Sequence, residues 1–116
     1  MTPQQLKDFL IAVLKEKKTG DMTVIDVADK TSIADYFIIV SGKNAPQVKA
    51  ICENLEEKTE EKGIFASRKE GIREARWIVM DYASVIVHIF NDETRDFYNL
   101  EKLWSDPEQT NITKVE

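Results

Sequence analysis

Few side chains in this sequence are of the types that commonly carry catalysis. His88 is the only histidine and Cys52 is the only cysteine. A histidine acts as a general base when a nucleophile or an orienting carboxylate lies near it, and no motif for a reactive serine, a reactive cysteine or a zinc-binding helix is present. One histidine and one cysteine do not make a zinc site, which needs about four ligands. We predict a structural or interface role for His88, a packing role for Cys52, no metal site and no cofactor.

Two further stretches have residue types that bind metal or phosphate. Asp26, Asp29 and Asp35 lie within ten residues, and paired carboxylates can hold two Mg²⁺ ions when they stand side by side on one strand face. Here the spacing crosses a predicted turn instead. The run 41–44 joins a predicted strand to a predicted helix, where backbone amides can cradle phosphate. It lacks the spaced first glycine of a Walker motif, so we interpret it as a tight turn with Asn44 as the helix cap.

Large aromatic side chains are concentrated in the second half of the chain. Trp77, Tyr82, Tyr98 and Trp104 are interspersed with charged residues, and such aromatics are common anchors of protein interfaces. The two tryptophans fit equally well in the core between a sheet and the last helix, so both interpretations stay open for them. Tyr82 lies in a predicted turn, and we therefore expect it to be exposed and to contact a partner.

Composition and charge limit the classes of function. The chain has 116 residues, of which 42% are hydrophobic, and a net charge of −5. This is the size of one domain. Nucleic-acid binding needs clustered lysine and arginine, and only residues 68–76, with a net charge of +2, supply a basic segment. An acidic chain is better suited to a basic protein surface. No apolar run approaches the ~20 residues of a membrane span, and we expect a cytoplasmic protein without a targeting segment.

The elements that would position these residues are organised around a central hairpin. The runs 77–80 and 85–90 are rich in β-branched and aromatic residues and too short for helices, so each is predicted to be a strand. The four residues between them predict antiparallel pairing. Because neither run alternates apolar with polar residues, we expect both faces of this hairpin to be covered.

Other elements flank the hairpin on both sides. Helix signals begin after Thr2 and near Pro46, and Gly20 and Gly63 follow the two helical patterns. Strands are predicted at 23–27, 36–40 and 64–66, and short helical segments at 92–97 and 100–104. The sequence thus predicts one α/β (α+β) domain over residues 1–106, with a mixed sheet of about five strands packed against helices. Residues 107–116 are predicted to be a flexible polar tail.

Several motifs, taken together and in order, resemble a known family. They are Ser32-Ile33-Ala34-Asp35-Tyr36-Phe37, Ser41-Gly42, Glu70-Gly71, Ala75-Arg76-Trp77, Met80-Asp81-Tyr82, Val87-His88-Ile89-Phe90, Arg95-Asp96-Phe97-Tyr98 and Leu100-Glu101-Lys102-Leu103-Trp104. With these motifs the chain resembles the ribosomal silencing factor family, RsfS (also called iojap-like or YbeB), over about residues 2 to 106.

The resemblance implies a fold and a function. The fold would be similar to that of nucleotidyltransferases but without their catalytic carboxylates. Family members bind the large ribosomal subunit at its fourteenth universal protein, on the face that meets the small subunit. They block subunit joining and so repress translation when nutrients are short. The resemblance also implies homodimers in many members, and organelle relatives that act in large-subunit assembly.

A candidate binding surface follows from this resemblance and from the residue types. Aromatic and aliphatic groups would form its desolvated centre, and carboxylates would meet lysine or arginine of a basic ribosomal protein. The predicted partner-binding residues are Glu70, Trp77, Asp81, Tyr82, His88, Tyr98, Glu101 and Trp104. Simple alternation places Trp77, Val79 and Asp81 on one strand face. Three alternatives remain: a nucleotidyltransferase-like nucleotide-binding enzyme, a large-subunit assembly factor, and a nucleic-acid module.

Overall fold

The computed structural model describes all 116 residues and contains one six-stranded sheet. The strands, in chain order, are β1 (Met22–Asp26), β2 (Tyr36–Gly42), β3 (Arg68–Glu70), β4 (Trp77–Asp81), β5 (Val85–Asn91) and β6 (Ile112–Val115). Their order across the sheet is β3-β4-β5-β2-β1-β6. The central pair β2 and β5 is parallel, and the other neighbouring pairs are antiparallel. The predicted mixed α/β sheet is therefore confirmed, with one strand more than expected.

Two long helices and two short ones accompany the sheet. They are α1 (Pro3–Leu14), α2 (Ala45–Glu61), α3 (Asp92–Tyr98) and α4 (Leu100–Trp104). The start signals act as predicted: Thr2 and Gln5 form a reciprocal capping box, and the Asn44 side chain accepts from the amide of Gln47 at 2.9 Å. Gly63 follows α2 with a φ of +73°, a conformation that glycine adopts without steric cost. None of the helices is long and apolar enough to span a membrane.

The main core lies between one face of the sheet and the two long helices. Side chains of the sheet such as Val24, Ile38, Met80 and Ile89 pack there against buried aliphatic residues of α1 and α2. Cys52 of α2 lies in this core, as predicted, and burial raises the pKa of its thiol to about 11. At neutral pH the thiol therefore stays protonated, and the thiolate that reactive cysteines require is not formed.

The opposite face of the sheet holds a smaller core and is covered differently. Ile25, Phe37, Ile39, Ile86 and Phe90 form its buried part, and Leu100 of α4 packs on them. The two short helices contact β5, β2 and β1 on this face. The outer strands β3 and β4 carry no helix there, and the side chains of β4 on this side remain partly exposed. We call this side of the sheet the half-open face. The expectation that both faces of the hairpin are covered is thus confirmed for β5, which is buried on both sides, and is wrong for one face of β4.

Two local predictions were wrong. The third strand lies at 68–70 rather than 64–66, because residues 67–70 pair with β4 whereas 64–66 connect α2 to the sheet. Residues 107–116 were predicted to be a flexible polar tail, yet 112–115 form β6 along the outer edge of β1. An edge strand needs few apolar residues because one side of its backbone and much of its surface face water. Strand β6 has only two apolar residues, Ile112 and Val115, so its sequence does not predict a strand.

Asn111 joins this C-terminal segment to the rest of the sheet. Its side-chain amide donates to the carbonyl oxygens of Asp26 (3.0 Å) and Trp104 (2.9 Å), and its side-chain oxygen accepts from the amide of Asp106 (2.8 Å). Asn111→Ala is expected to lower the free energy of unfolding by about 2 kcal/mol, since three hydrogen bonds are lost at a partly buried position. Urea denaturation measures this value. A change below about 0.5 kcal/mol, the size typical of a surface substitution, would contradict the assigned role.

Candidate protein-binding surface

The register of the sheet decides which predicted residues share the half-open face. Glu70 of β3 lies opposite Val79 of β4, and Val79 lies opposite His88 of β5. Residues directly opposite one another on neighbouring strands project to the same side. Trp77 and Asp81 are two residues from Val79 in either direction, so they project to that side as well. The predicted sharing of one face by Trp77, Val79 and Asp81 is confirmed, since all three are partly exposed whereas Ile78 and Met80 between them are buried.

The aromatic residues form a continuous cluster on this face. The Trp77 ring lies 5.0 Å from the Phe90 ring and 4.8 Å from the Tyr98 ring, measured between centroids. Phe37 lies 5.2 Å from Trp104 in an edge-to-face arrangement. The structure therefore brings the two tryptophans and Tyr98 to one side of the sheet. Each tryptophan is partly buried against the smaller core, which confirms the packing interpretation in part. The interface interpretation stays a prediction for their exposed parts.

His88 lies beneath this cluster rather than on its surface. It is only 7% exposed, its ring centroid lies 5.0 Å from that of Phe37, and its Nδ1 accepts a hydrogen bond from Trp77 Nε1 at 3.0 Å. Burial lowers the pKa of the imidazole from 6.5 to about 4, with no carboxylate acting to raise it. The imidazole ring is therefore neutral at physiological pH and accepts the hydrogen bond of Trp77 from inside the sheet.

This lowered pKa links the stability of the protein to pH. Below pH 6.5 the unfolded chain binds a proton at His88 that the folded protein excludes until pH is near 4. Between these values the His88 contribution to the free energy of unfolding is expected to fall by about 1.4 kcal/mol per pH unit as pH decreases. Urea denaturation at pH 7, 6 and 5 measures the slope. His88→Gln should remove that component, and an unchanged slope in the variant would show that other groups cause it.

Tyr82 is not exposed, and the prediction that it contacts a partner from a turn was wrong in this respect. It is 5% exposed and lies with the main core, and its hydroxyl is 3.0 Å from Thr59 Oγ1 of α2. Thr59 donates its own proton to the carbonyl of Glu56, so Tyr82 is the donor to Thr59. The turn places Tyr82 on the opposite side of the sheet from Asp81 because successive residues project to opposite faces.

Tyr82→Phe provides a test of this placement. Removing the hydroxyl is expected to cost about 1 kcal/mol of unfolding free energy, since one buried hydrogen bond is lost while the ring packing is retained. Binding to any partner of the half-open face should not change. Chemical denaturation and a binding assay on the same preparation measure the two quantities, and weakened binding at unchanged stability would return Tyr82 to the binding surface.

Glu101 has a partner within its own chain. Its Oε2 accepts from Arg95 Nη2 at 3.0 Å and from Arg95 Nε at 3.2 Å. Arg95 is 8% exposed and also donates to Thr23 Oγ1 (3.1 Å), Ser41 Oγ (3.2 Å) and the carbonyl of Asp21. All five guanidinium N–H groups thus have acceptors. The prediction that Glu101 meets a cation of the partner is corrected accordingly: its cation is Arg95, which ties α3 and α4 to β1 and β2.

The remaining predicted carboxylates lie at the rim. Glu70 is exposed on the edge strand β3. Asp81 is partly exposed at the end of β4, where its Oδ1 accepts from the amide of Ala83 at 2.8 Å. Both lie on the half-open side, where Arg68 Nη1 is 4.0 Å from Glu70 Oε1 in an exposed ion pair that costs little to exchange for a cation of a partner. Their predicted contact with a partner stays a prediction.

Sequence reasoning missed the most exposed aromatic residue near this surface. Phe97 of α3 is 81% exposed, and it lines a surface cavity of about 650 Å³ together with Trp77, Tyr98 and Arg76. Leu103 of α4 is also exposed. The sequence signal that could have indicated Phe97 is a large apolar residue on the polar side of a short helix. A helix that only packs on a sheet does not need an apolar residue there, so such a residue indicates a binding surface.

Of the three aspartates considered as metal ligands, Asp26 and Asp35 line one surface cavity and Asp29 does not. Asp26 lies at the end of β1, where its carboxylate accepts from the amide of Ala28 at 3.1 Å. No group of three or more histidine, cysteine, aspartate or glutamate side chains has the geometry to hold a metal ion. The surface described above is therefore the strongest candidate for a functional site, and its chemistry is that of a protein interface.

Comparisons with known proteins agree with the motifs noted in the sequence. The family model "RsfS: Ribosomal silencing factor during starvation" matches residues 1–116. The chain is 36% identical over 106 residues to the ribosomal silencing factor RsfS of Bacillus subtilis, covering 91% of this chain and 90% of that one. It is 30% identical over 101 residues to a mouse protein named for mitochondrial assembly of the ribosomal large subunit, covering 84% of this chain and 44% of the relative.

A solved structure supports the same assignment. The crystal structure of a protein from Chromobacterium violaceum superimposes with a TM-score of 0.86 at 28% sequence identity, and the match covers 95% of this chain and 93% of that one. The family model and the curated relatives both extend over nearly the whole chain. The chain therefore belongs to the RsfS family of ribosomal silencing factors.

Proposed function

We propose that this protein represses translation by binding the large ribosomal subunit through its fourteenth universal protein and obstructing the docking of the small subunit. The observation that carries the proposal is the half-open face. Trp77 and Tyr98 are in contact there, Phe97 stands beside them, and the side chains of β4 on that side remain partly exposed. Exposed aromatics on a rigid sheet are the usual centre of a protein interface.

Charge supports a ribosomal partner. The chain carries a net charge of −5, and Glu70 and Asp81 lie at the rim of the aromatic cluster. A ribosomal protein that contacts RNA is basic, so the two surfaces attract each other before contact. Rim charges of this kind mainly raise the association rate and fix the orientation of binding. The folded chain measures 35 × 33 × 25 Å, a bulk large enough to keep two flat subunit surfaces apart.

Repression by obstruction needs no catalytic group. The relatives of this chain are named as silencing factors rather than as enzymes, and we propose that this chain is also not an enzyme. Isothermal titration with ATP and Mg²⁺ tests the alternative of a nucleotidyltransferase-like enzyme. Heat of binding followed by turnover would favour that alternative, whereas no binding at millimolar nucleotide would support the proposal. We further propose that the protein is located in the cytoplasm. We also propose that it forms a homodimer, and sedimentation equilibrium tests this by measuring the molar mass in solution.

The central experiment uses purified ribosomal subunits. Large subunits are incubated with the protein, small subunits are added, and the mixture is separated on a sucrose gradient. The protein should co-sediment with large subunits alone, and the 70S peak should fall as its concentration rises. If a saturating amount of folded protein leaves the 70S peak unchanged, the proposed mechanism is wrong.

A role in large-subunit assembly is the second candidate, and the mouse relative's name favours it. The two roles share a partner and differ in the state of the particle that is bound. An assembly factor would bind incomplete large subunits more tightly than mature ones, and its depletion would cause precursor particles to accumulate. A silencing factor would bind mature subunits, and its depletion would leave the subunit profile of growing cells unchanged.

A further inference from the structure

The contact between Trp77 and His88 links an exposed residue to a buried one. Trp77 lies on β4 with its indole partly exposed, whereas His88 lies on β5 almost entirely buried. The two residues are not directly opposite in the register: Val79 is opposite His88, and Trp77 is opposite Phe90. The side chains meet diagonally across the half-open face, and the hydrogen bond from Trp77 Nε1 to His88 Nδ1 is 3.0 Å long.

The chemistry of the two groups determines the state of the histidine. An indole N–H only donates, so His88 Nδ1 must be the unprotonated nitrogen. A neutral imidazole then carries its proton on Nε2. That nitrogen is buried and has no hydrogen-bond partner in the protein. The single polar interaction of the His88 ring is therefore with Trp77, and the place of a histidine in this apolar strand is explained by that contact.

The hydrogen bond also explains how Trp77 is oriented. Phe90 stacks on the indole with planes inclined at 23°, and Tyr98 packs at 4.8 Å. Ring packing restrains the tilt of the indole plane but allows it to turn over, because both of its faces are apolar. The Nε1–H donor distinguishes the two orientations, since only one of them directs the donor at an acceptor inside the sheet.

We propose that His88 is a positioning residue: it fixes the Trp77 indole in the orientation that binds the partner and does not contact the partner itself. This inference rests on the proposed function, which supplies the partner. It differs from the expectation drawn from the sequence, in which His88 was a contact residue. It predicts that any side chain presenting an acceptor at this place can substitute for histidine.

The first test observes Trp77 directly and needs no ribosome. The chain has two tryptophans, so a ¹⁵N–¹H spectrum shows two indole N–H signals, which Trp104→Phe assigns. The Trp77 signal should exchange slowly with solvent in the wild type. His88→Leu should speed its exchange and shift the signal, whereas His88→Gln, whose amide oxygen is an acceptor, should preserve slow exchange. An unchanged Trp77 signal in His88→Leu would overturn the inference.

The second test measures affinity for purified large ribosomal subunits. His88→Leu is expected to bind about tenfold more weakly, because the indole donor loses its partner, and His88→Gln should stay within about threefold of wild type. Equal losses in both variants would indicate that the histidine itself touches the partner and would overturn the proposal. His88→Phe, an aromatic replacement without an acceptor, takes the place of His88→Leu if the latter does not fold.

Two controls separate positioning from a general loss of stability. Ile39 is fully buried and lies directly opposite His88 on β2, so Ile39→Val lowers stability near the histidine and spares its hydrogen bond. Binding of Ile39→Val should equal wild type. In a Trp77→Phe background, His88→Leu should cause no further loss of affinity; a further loss would contradict the proposal. Failure of the wild type to bind large subunits would instead reject the proposed function. The spectroscopic test would then still show whether His88 accepts the hydrogen bond of Trp77.

Discussion

Replacing Arg95 by methionine is expected to lower the free energy of unfolding by about 3 kcal/mol, the lower end of the cost of removing one partner from a buried ion pair, because Arg95 is buried and Glu101 only partly so. The guanidinium donates to Glu101, Thr23, Ser41 and the carbonyl of Asp21. Methionine keeps much of the volume but leaves these acceptors without a donor. Because Arg95 connects the short helices to the sheet, we expect α3 and α4 to loosen first. Urea denaturation gives the magnitude, and hydrogen exchange shows where protection is lost.

A second substitution distinguishes the ion pair from simple packing. Arg95→Met combined with Glu101→Leu removes the uncompensated carboxylate as well and should recover part of the lost stability. If the double variant is as unstable as the sum of the two single variants, the charges do not interact and the assigned role is wrong. Arg95→Lys is expected to remain destabilised, since an ammonium group cannot reach four acceptors in a planar arrangement.

Phe97→Asp is expected to weaken binding to large ribosomal subunits by about 100-fold, because an anchoring aromatic is lost and a charge is brought into a desolvated centre. Phe97 is among the most exposed apolar side chains of the protein and lies beside Trp77 and Tyr98. Its replacement should leave the free energy of unfolding almost unchanged. Co-sedimentation over a range of protein concentrations measures the affinity.

Phe65 supplies the matched control for this experiment. It is 64% exposed and lies in the connection between α2 and β3, away from the aromatic cluster. Phe65→Asp introduces the same charge at a similarly exposed aromatic and should bind like the wild type. If both variants bind as well as the wild type, Phe97 does not belong to the interface. If both bind equally weakly, the loss does not depend on the position of the aromatic, and the role assigned to Phe97 is wrong.

The elements that could be predicted are those whose signals are local. The capping box at Thr2, the cap at Asn44 and the hairpin around residues 77–90 depend on neighbours in sequence, and all are confirmed. Strand β6 could not be predicted in the same way. Its pairing with β1 depends on a hydrogen-bonding edge formed far away in the chain, and an edge strand leaves little apolar pattern behind.

The candidate site shows the same limit at the level of single residues. Alternation correctly placed Trp77 and Asp81 on one side of β4, because the period of a strand is a local property. The roles of Tyr82 and Glu101 could not be found that way. Tyr82 was assigned by its place in a turn, yet Thr59 of a distant helix binds it. Arg95, which binds Glu101, has partners more than fifty residues away.

The pairing of β1 with β6 has a consequence for biosynthesis. A nascent chain folds from its N-terminal side as it is made, but the outer edge of β1 has no partner until residues 112–115 have been translated and released from the exit tunnel. The hydrogen bond from Asn111 that holds Trp104 forms at the same late moment. The pairing of β4 with β5 needs only residues up to 91, so the edge at β1 is the last part of the sheet to be completed during synthesis.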